Sequence, residues 1–324
     1  MARYLITGGA GFIGSNFLSL LLNKKYSEVI CIDKFNYAAS DFNLQELTKK
    51  PNFSIRKVDI TNTKELNKLW QKPFDYIINF AAESHVDRSI NTPVIFFENN
   101  VLGTINLLNK CLEYPPKLFI QISTDEVYGS IPKPHMADES SPLKPSNPYS
   151  ASKCSADLAV LSYYKTYNLP VVILRAVNNF GPRQYPEKLI PKVIIKILKN
   201  KKIPVYGNGQ AVRTWLYVMD FCNAILSALG KGIPGEIYNI GSPYEISNLE
   251  LVENILMLLG KNRDLIEFVD DRPGHDQRYA LDYTKANNQL DLTEQYPFDL
   301  ALKNTVTWYK KSFDYYNNLT DKYV

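Results

Sequence analysis

The sequence predicts an α/β fold: a doubly wound parallel sheet followed by a smaller α/β C-terminal unit. Three observations carry this. Through the first 180 residues, short apolar runs alternate with amphipathic segments at helical spacing, and repeated strand–helix–strand order implies parallel pairing. Gly8, Gly11 and Gly14 stand between the first apolar run and the first helical pattern. After about residue 180 the strands shorten and prolines and glycines thicken, as in "GPRQYPEKLIP" and "GIPGEIYNIGSP". Residues 1–180 therefore read as one domain, with a returning segment near 207–241, and 181–324 as a second.

Six runs read as strands: 4–7, 29–33, 54–60, 76–82, 118–124 and 170–176. "EIYNIG" (236–241) can add a seventh. Between them, "NFLSLLLNKK" and "FENNVLGTINLLNKCLEY" carry apolar residues at helical spacing. In "SNPYSASKCSADLAVLSYY", Asn147 supplies a cap and Pro148 a first-turn proline, so a helix begins just before Tyr149.

Composition narrows the function. With 324 residues, 45% hydrophobic and 22% charged, the chain is an ordinary globular protein. A net charge of +4 is too small to imply a nucleic-acid partner, and the Lys-rich stretch 196–204 reads as a solvated helix end. Cys31, Cys111, Cys154 and Cys222 are far apart and His85, His135 and His275 lack ligand spacing, so neither disulfides nor a metal is expected. No signal peptide precedes the first strand and no run has membrane-spanning length. A cytoplasmic protein is expected.

The glycine turn has the context that a dinucleotide site requires. It follows a strand and opens a helix, and Asp33 stands 19 residues after Gly14 at the end of the second strand. A carboxylate there accepts hydrogen bonds from both ribose hydroxyls and repels a 2′-phosphate, which favours NAD over NADP. Asp59 and Ile60 close the third strand, where they can meet the adenine. Ala81 and Ala82 end the fourth and permit close approach.

Tyr149 and Lys153 are spaced i, i+4 and share a helix face. An ammonium and a positive nicotinamide near the phenol would lower its pKa, letting it accept a sugar-hydroxyl proton while the carbon gives up hydride. The strand before that helix ends in "STDEVYG", a hydroxyl pair followed by two adjacent acids.

With these features on one chain, the sequence resembles the extended short-chain dehydrogenases that act on nucleotide sugars. More narrowly it resembles the dTDP-glucose and UDP-glucose 4,6-dehydratases. The resemblance runs through "TGGAGFIGSNF", "IDKFNYA", "AAESHVDRS", "STDEVYG", "NPYSASK", "NNFGPRQYPEKLIP", "VRTWLYVMD" and "DRPGHDQRYALD". It implies a Rossmann-type NAD-binding domain whose cofactor contacts also include Phe12, Ile13, Lys34, Phe35, Asn36, Glu83, Ser84, Asn100 and Asn179. It makes Glu126 the base at C5 and Asp125 the acid at the departing C6 hydroxyl. Thr124 would bond the C4 oxygen alongside Tyr149. Around the substrate it places His85, Asn178, Lys188, Leu189, Pro204, Val205, Tyr206, Arg213, Asn248, Arg272 and His275. It also implies a homodimer through helices at about 91–113 and 150–168. The fold is shared with 4-epimerases and decarboxylases, and with any catalytically silent NAD-binding regulator. The acid pair favours the dehydratases, and the nucleobase stays open between thymine and uracil.

Overall fold

The computed structural model describes residues 2–23, 27–271, 276–292 and 296–320. The first half alternates as expected: β1 (Ala2–Thr7), α1 (Phe12–Leu21), β2 (Ser27–Asp33), β3 (Phe53–Lys57), α2 (Thr63–Leu69) and β4 (Tyr76–Asn79). There follow α3 (Val86–Asn91), α4 (Pro93–Phe97), a π-helical turn (Glu98–Leu102), α5 (Gly103–Glu113) and β5 (Leu118–Thr124). A 3-10 turn (Asp125–Tyr128), α6 (Pro148–Tyr167) and β6 (Val171–Ala176) complete this part. The expected helix over 97–114 is thus three pieces, since the π-turn interrupts it.

These strands and β10 (Ile237–Ile240) form one seven-stranded parallel sheet, in the order β10-β6-β5-β4-β1-β2-β3. The expected seventh strand therefore returns to the sheet beside β6. Alternation along the strands fills both faces. Leu5, Ile30, Ile77, Phe119 and Val171 pack on one side, and Ile6, Cys31, Ile78, Ile120 and Val172 on the other. Helices cover both sides because neither face can be left to water.

The later chain adds β7 (Asn178–Phe180), α7 (Leu189–Leu198), β8 (Ile203–Tyr206), β9 (Val212–Tyr217), α8 (Val218–Lys231), β11 (Glu245–Ser247), α9 (Asn248–Leu258) and β12 (Ile266–Val269). It ends in α10 (Thr284–Leu290), α11 (Phe298–Lys311) and α12 (Phe313–Thr320). Two small sheets, β11-β9-β7 and β12-β8, stand apart from the large one. The strand order reverses between β1 and β4, which opens a crevice at their carboxyl ends.

Candidate active site

Gly8 and Gly14 are required by packing within the protein. A Cβ on Gly8, whose φ is +67°, would sit 2.6 Å from the Ala81 nitrogen, and one on Gly14 would sit 2.6 Å from the Gly8 oxygen. Those contacts bring the β1 and β4 ends and the start of α1 together. A Cβ on Gly11 would have only the Gly8 oxygen nearby, at 3.3 Å, and would stand in the cleft instead. The first-turn amides of α1 lack intrahelical partners and suit a pyrophosphate. Phe12, Ile13, Gly14, Asp33, Lys34, Asn36, Asp59, Ile60, Ala81, Ala82, Glu83, Ser84, Tyr149, Lys153 and Lys188 all line this cleft.

Asp33 is held from both sides, accepting the Ala10 N–H at 3.0 Å and the Phe35 N–H at 2.8 Å. Burial raises its pKa, and these two bonds work against the rise. Phe35, in the left-handed region at φ 55°, delivers that N–H while its side chain packs on the core. It orients Asp33 and does not line the cleft. Asn100 also stands back. It accepts the Glu83 N–H at 2.8 Å and donates to the Glu83 carbonyl at 3.0 Å and Ser152 Oγ at 2.8 Å. Its position on the π-turn clamps the β4 loop to α6, a use such turns often have. Asp33→Ala should weaken NAD binding by about 1–3 kcal/mol through lost bonds to a charge. Titration calorimetry checks this, and unchanged affinity would remove Asp33 from the site.

The reaction end is built on β5, its 3-10 turn and α6. Asn147 caps α6 in a reciprocal box with Ser150, which fixes where Tyr149 and Lys153 begin. Thr124 is the hub. Its hydroxyl donates to Asp125 Oδ1 at 3.1 Å and accepts the Glu126 N–H at 3.3 Å, and it favours loss of the Tyr149 phenol proton. The two acids differ in setting. Asp125 is buried and Glu126 half-buried. Burial, then the charge of Glu126, raises Asp125 to about 8, so it keeps its proton at neutral pH.

The protein's own groups do not produce the lowered phenol that the sequence suggested. Burial first, and then Glu126, push Tyr149 above its usual value. Lys153 donates to the Ile122 carbonyl at 2.5 Å, and burial brings its ammonium down to about 8. Behind it Asp157, on the same face of α6, is buried with Arg175, which donates to it at 2.9 Å. Ser123 donates to the same carboxylate at 3.0 Å, tying the end of β5 to α6.

An acid holding its proton to about pH 8 predicts that the elimination half-reaction weakens as pH rises through that value. Below it the rate should be flat, and above it about tenfold lower per pH unit. In Asp125→Asn that limb should vanish, leaving a uniformly low rate. A limb that persists in the variant would assign it to another group. The same shift makes the folded chain bind more protons than the unfolded one between about pH 4 and 8. This group's contribution to stability therefore falls as pH rises through that window.

On the substrate side the structure gathers three expected residues. His85 caps α3, Lys188 donates to the Ser84 carbonyl at 2.5 Å, and the Tyr206 hydroxyl donates to Asp87 at 3.2 Å. Pro204 and Val205 lie in β8, Leu189 and Asn248 open α7 and α9, and Asn178 and Asn179 form β7. Asn179 Oδ1 is buried without a hydrogen-bond partner among the described residues. Arg213 is held by main-chain carbonyls and an aromatic ring. It donates to the Val212 carbonyl at 2.7 Å and the Asp276 carbonyl at 2.8 Å, and lies over the Tyr279 ring. Arg272 and His275 lie outside the described residues. Tyr37, Asn99, Ser123, Gln184, Tyr185 and Glu187 also line the cleft and were not anticipated. Ser123 adjoins Thr124, and Gln184, Tyr185 and Glu187 stand within "NNFGPRQYPEKLIP", which was the available signal.

A family model described as GDP-mannose 4,6 dehydratase matches residues 5–305. The low-salt glycan biosynthesis protein of Haloferax volcanii is 48% identical over 305 residues, 94% of this chain and 97% of that protein. Among solved structures, the dTDP-glucose 4,6-dehydratase of Bacillus anthracis, in complex with NAD, is 44% identical with a TM-score of 0.92, covering 98% of this chain and 100% of that one. The dTDP-glucose 4,6-dehydratase of Streptomyces venezuelae, with NAD and TYD bound, is 42% identical with a TM-score of 0.95, covering 98% and 99%. These matches span both the cofactor cleft and the acid pair, and the chain belongs to the nucleotide-sugar 4,6-dehydratase family.

Proposed function

We propose that the protein converts a nucleoside-diphosphate glucose, dTDP- or UDP-linked, to the 4-keto-6-deoxy sugar nucleotide plus water, within deoxysugar synthesis of the rhamnose type. One observation carries the reading most: two adjacent acids in unlike environments, joined through Thr124 to a Tyr-x-x-x-Lys phenol. NAD held in the cleft would accept hydride from C4 and return it to C6. The protein's residues manage the protons. Tyr149 takes the C4 hydroxyl proton while Thr124 holds that oxygen. Glu126, half-buried and beside the site, removes the C5 proton that the C4 ketone has acidified, and returns it to C5 as hydride reaches C6. Asp125 gives its proton to the C6 oxygen, which leaves as water. An epimerase or decarboxylase has no use for such a pair. Residues 1–180, with the returning strand, would serve the cofactor, and 181–324 the nucleotide sugar.

Mass spectrometry of products from dTDP-glucose and UDP-glucose tests this. Loss of one water from the sugar nucleotide, with NAD recycled and not consumed, supports the proposal. Stoichiometric consumption of NAD would sink it. The relatives named as dTDP-glucose 4,6-dehydratases favour the faster rate with dTDP-glucose.

A cytoplasmic homodimer is part of the same reading. Val94, Phe97, Leu102 and Leu158 are exposed on the neighbouring helices that run from α4 through α5 and on α6, a face suited to a second copy. Light scattering at micromolar concentration should give twice the chain mass, and a monomeric mass would refute the dimer.

A further inference from the structure

The segment between β7 and α7, residues 182–188, crosses the cofactor cleft and is tied down along its length. At one end Asn16 donates to the Pro182 carbonyl at 3.0 Å, and Arg183 donates to the Ser15 carbonyl at 2.8 Å and Ser19 Oγ at 2.7 Å. Arg183 takes a left-handed backbone, φ 70°, to make this anchor on α1. In the middle, Tyr309 donates to the Gln184 carbonyl at 2.5 Å. At the far end two bonds reach the opposite rim of the cleft: Lys188 to the Ser84 carbonyl, and the Tyr37 hydroxyl to Glu187 Oε1 at 3.0 Å.

Tyr37 is set for this bond. The Arg88 guanidinium lies over its ring at 3.7 Å, and Tyr185 meets it edge-on at 5.4 Å. Burial and the nearby Glu187 charge keep the phenol protonated, hence a donor. Tyr37 also belongs to the loop that begins at Asp33, so the fastening is made on the loop that holds the proposed ribose contact.

We propose that residues 182–188 form a strap over the bound dinucleotide, and that the Tyr37–Glu187 hydrogen bond is the fastening that keeps the cofactor from leaving during a catalytic cycle. This rests on the NAD reading above. A reaction that removes hydride and later returns it fails whenever the cofactor escapes in between. A fastening across the cleft slows that escape, and it does so from the segment that leads directly into Lys188 and Leu189 on the substrate side. Tyr37 and Glu187 are positioning residues that act through the strap.

The test uses the full-length protein, with Tyr37→Phe, which removes only the hydroxyl and keeps the ring stacking, Glu187→Leu, which keeps the bulk and removes the acceptor oxygens, and the double variant. The NAD release rate is read by dilution, from nicotinamide fluorescence or retained NAD. Each single variant is expected to release NAD about tenfold faster, as for a lost hydrogen bond to a charge. The double variant should be no faster than the faster single, because one bond is lost in all three. Activity of the variants should fall on dilution and return when NAD is added, while the melting temperature stays at the wild-type value. If one variant fails to fold, the other carries the same comparison. Wild-type release rates in a folded variant, or additive effects in the double, would overturn the fastening. A wild-type protein that binds no NAD would instead sink the cofactor reading, and the strap with it.

Discussion

Replacing Glu126 by glutamine should slow turnover by about 10²–10⁴-fold, the usual worth of a general base, and should stop the reaction at one identifiable stage. Glutamine fills the same space and cannot accept the C5 proton. In the proposed mechanism oxidation at C4 uses Tyr149 and Thr124, so it should still occur. Quenched reactions should then contain a 4-keto hexose nucleotide that retains its C6 hydroxyl, lighter than substrate by one pair of hydrogens. Persistent nicotinamide absorbance after mixing should accompany it. Deuterium from solvent should not enter C5. If the variant turned over near the wild-type rate, or failed before oxidation, the role of "STDEVYG" would need reassignment.

Tyr149→Phe should be similarly slow, by about 10²–10⁴-fold, and fail earlier. The ring remains to pack against Phe96, its edge-on neighbour at 6.4 Å, but the C4 hydroxyl proton has no acceptor. No keto sugar should form, and the nicotinamide absorbance should not change on mixing. The two variants are thus separated by what accumulates, with overall rates alike. Accumulation of the same keto sugar in Tyr149→Phe would show that another group takes the first proton.

The parts of this site that were legible in the sequence are local ones. The glycine turn, Asp33, the Tyr149–Lys153 pair and its cap are each set by a few neighbouring residues, and their spacing alone dictates a shared face or a tight turn. The strand β5 was read with its observed limits, since seven buried residues leave a plain apolar signature. Contacts made by tertiary neighbours were not legible. Phe35 gives its N–H to Asp33 and packs its side chain on the core, which no local pattern announces. Arg213 is positioned by main-chain carbonyls 63 and 64 residues away, which its neighbours in sequence do not announce. Tyr37 and Glu187 are 150 residues apart, and although each lies in a quoted motif, nothing local pairs the two. Nor does local pattern reveal that burial would be the largest influence on the Tyr149 phenol.

The π-turn at Glu98–Leu102 makes the number of residues before α5 as important as their identity. A π-turn holds one residue more than a regular helix would. Deleting a residue there would restore the regular path, and each residue of an α-helix advances about 100° and about 1.5 Å. Asn100 would then swing off the Glu83 backbone, or Phe96 off Tyr149, although every remaining side chain were unchanged. Length variation among relatives should therefore be absent from this stretch even where the identity of its residues differs.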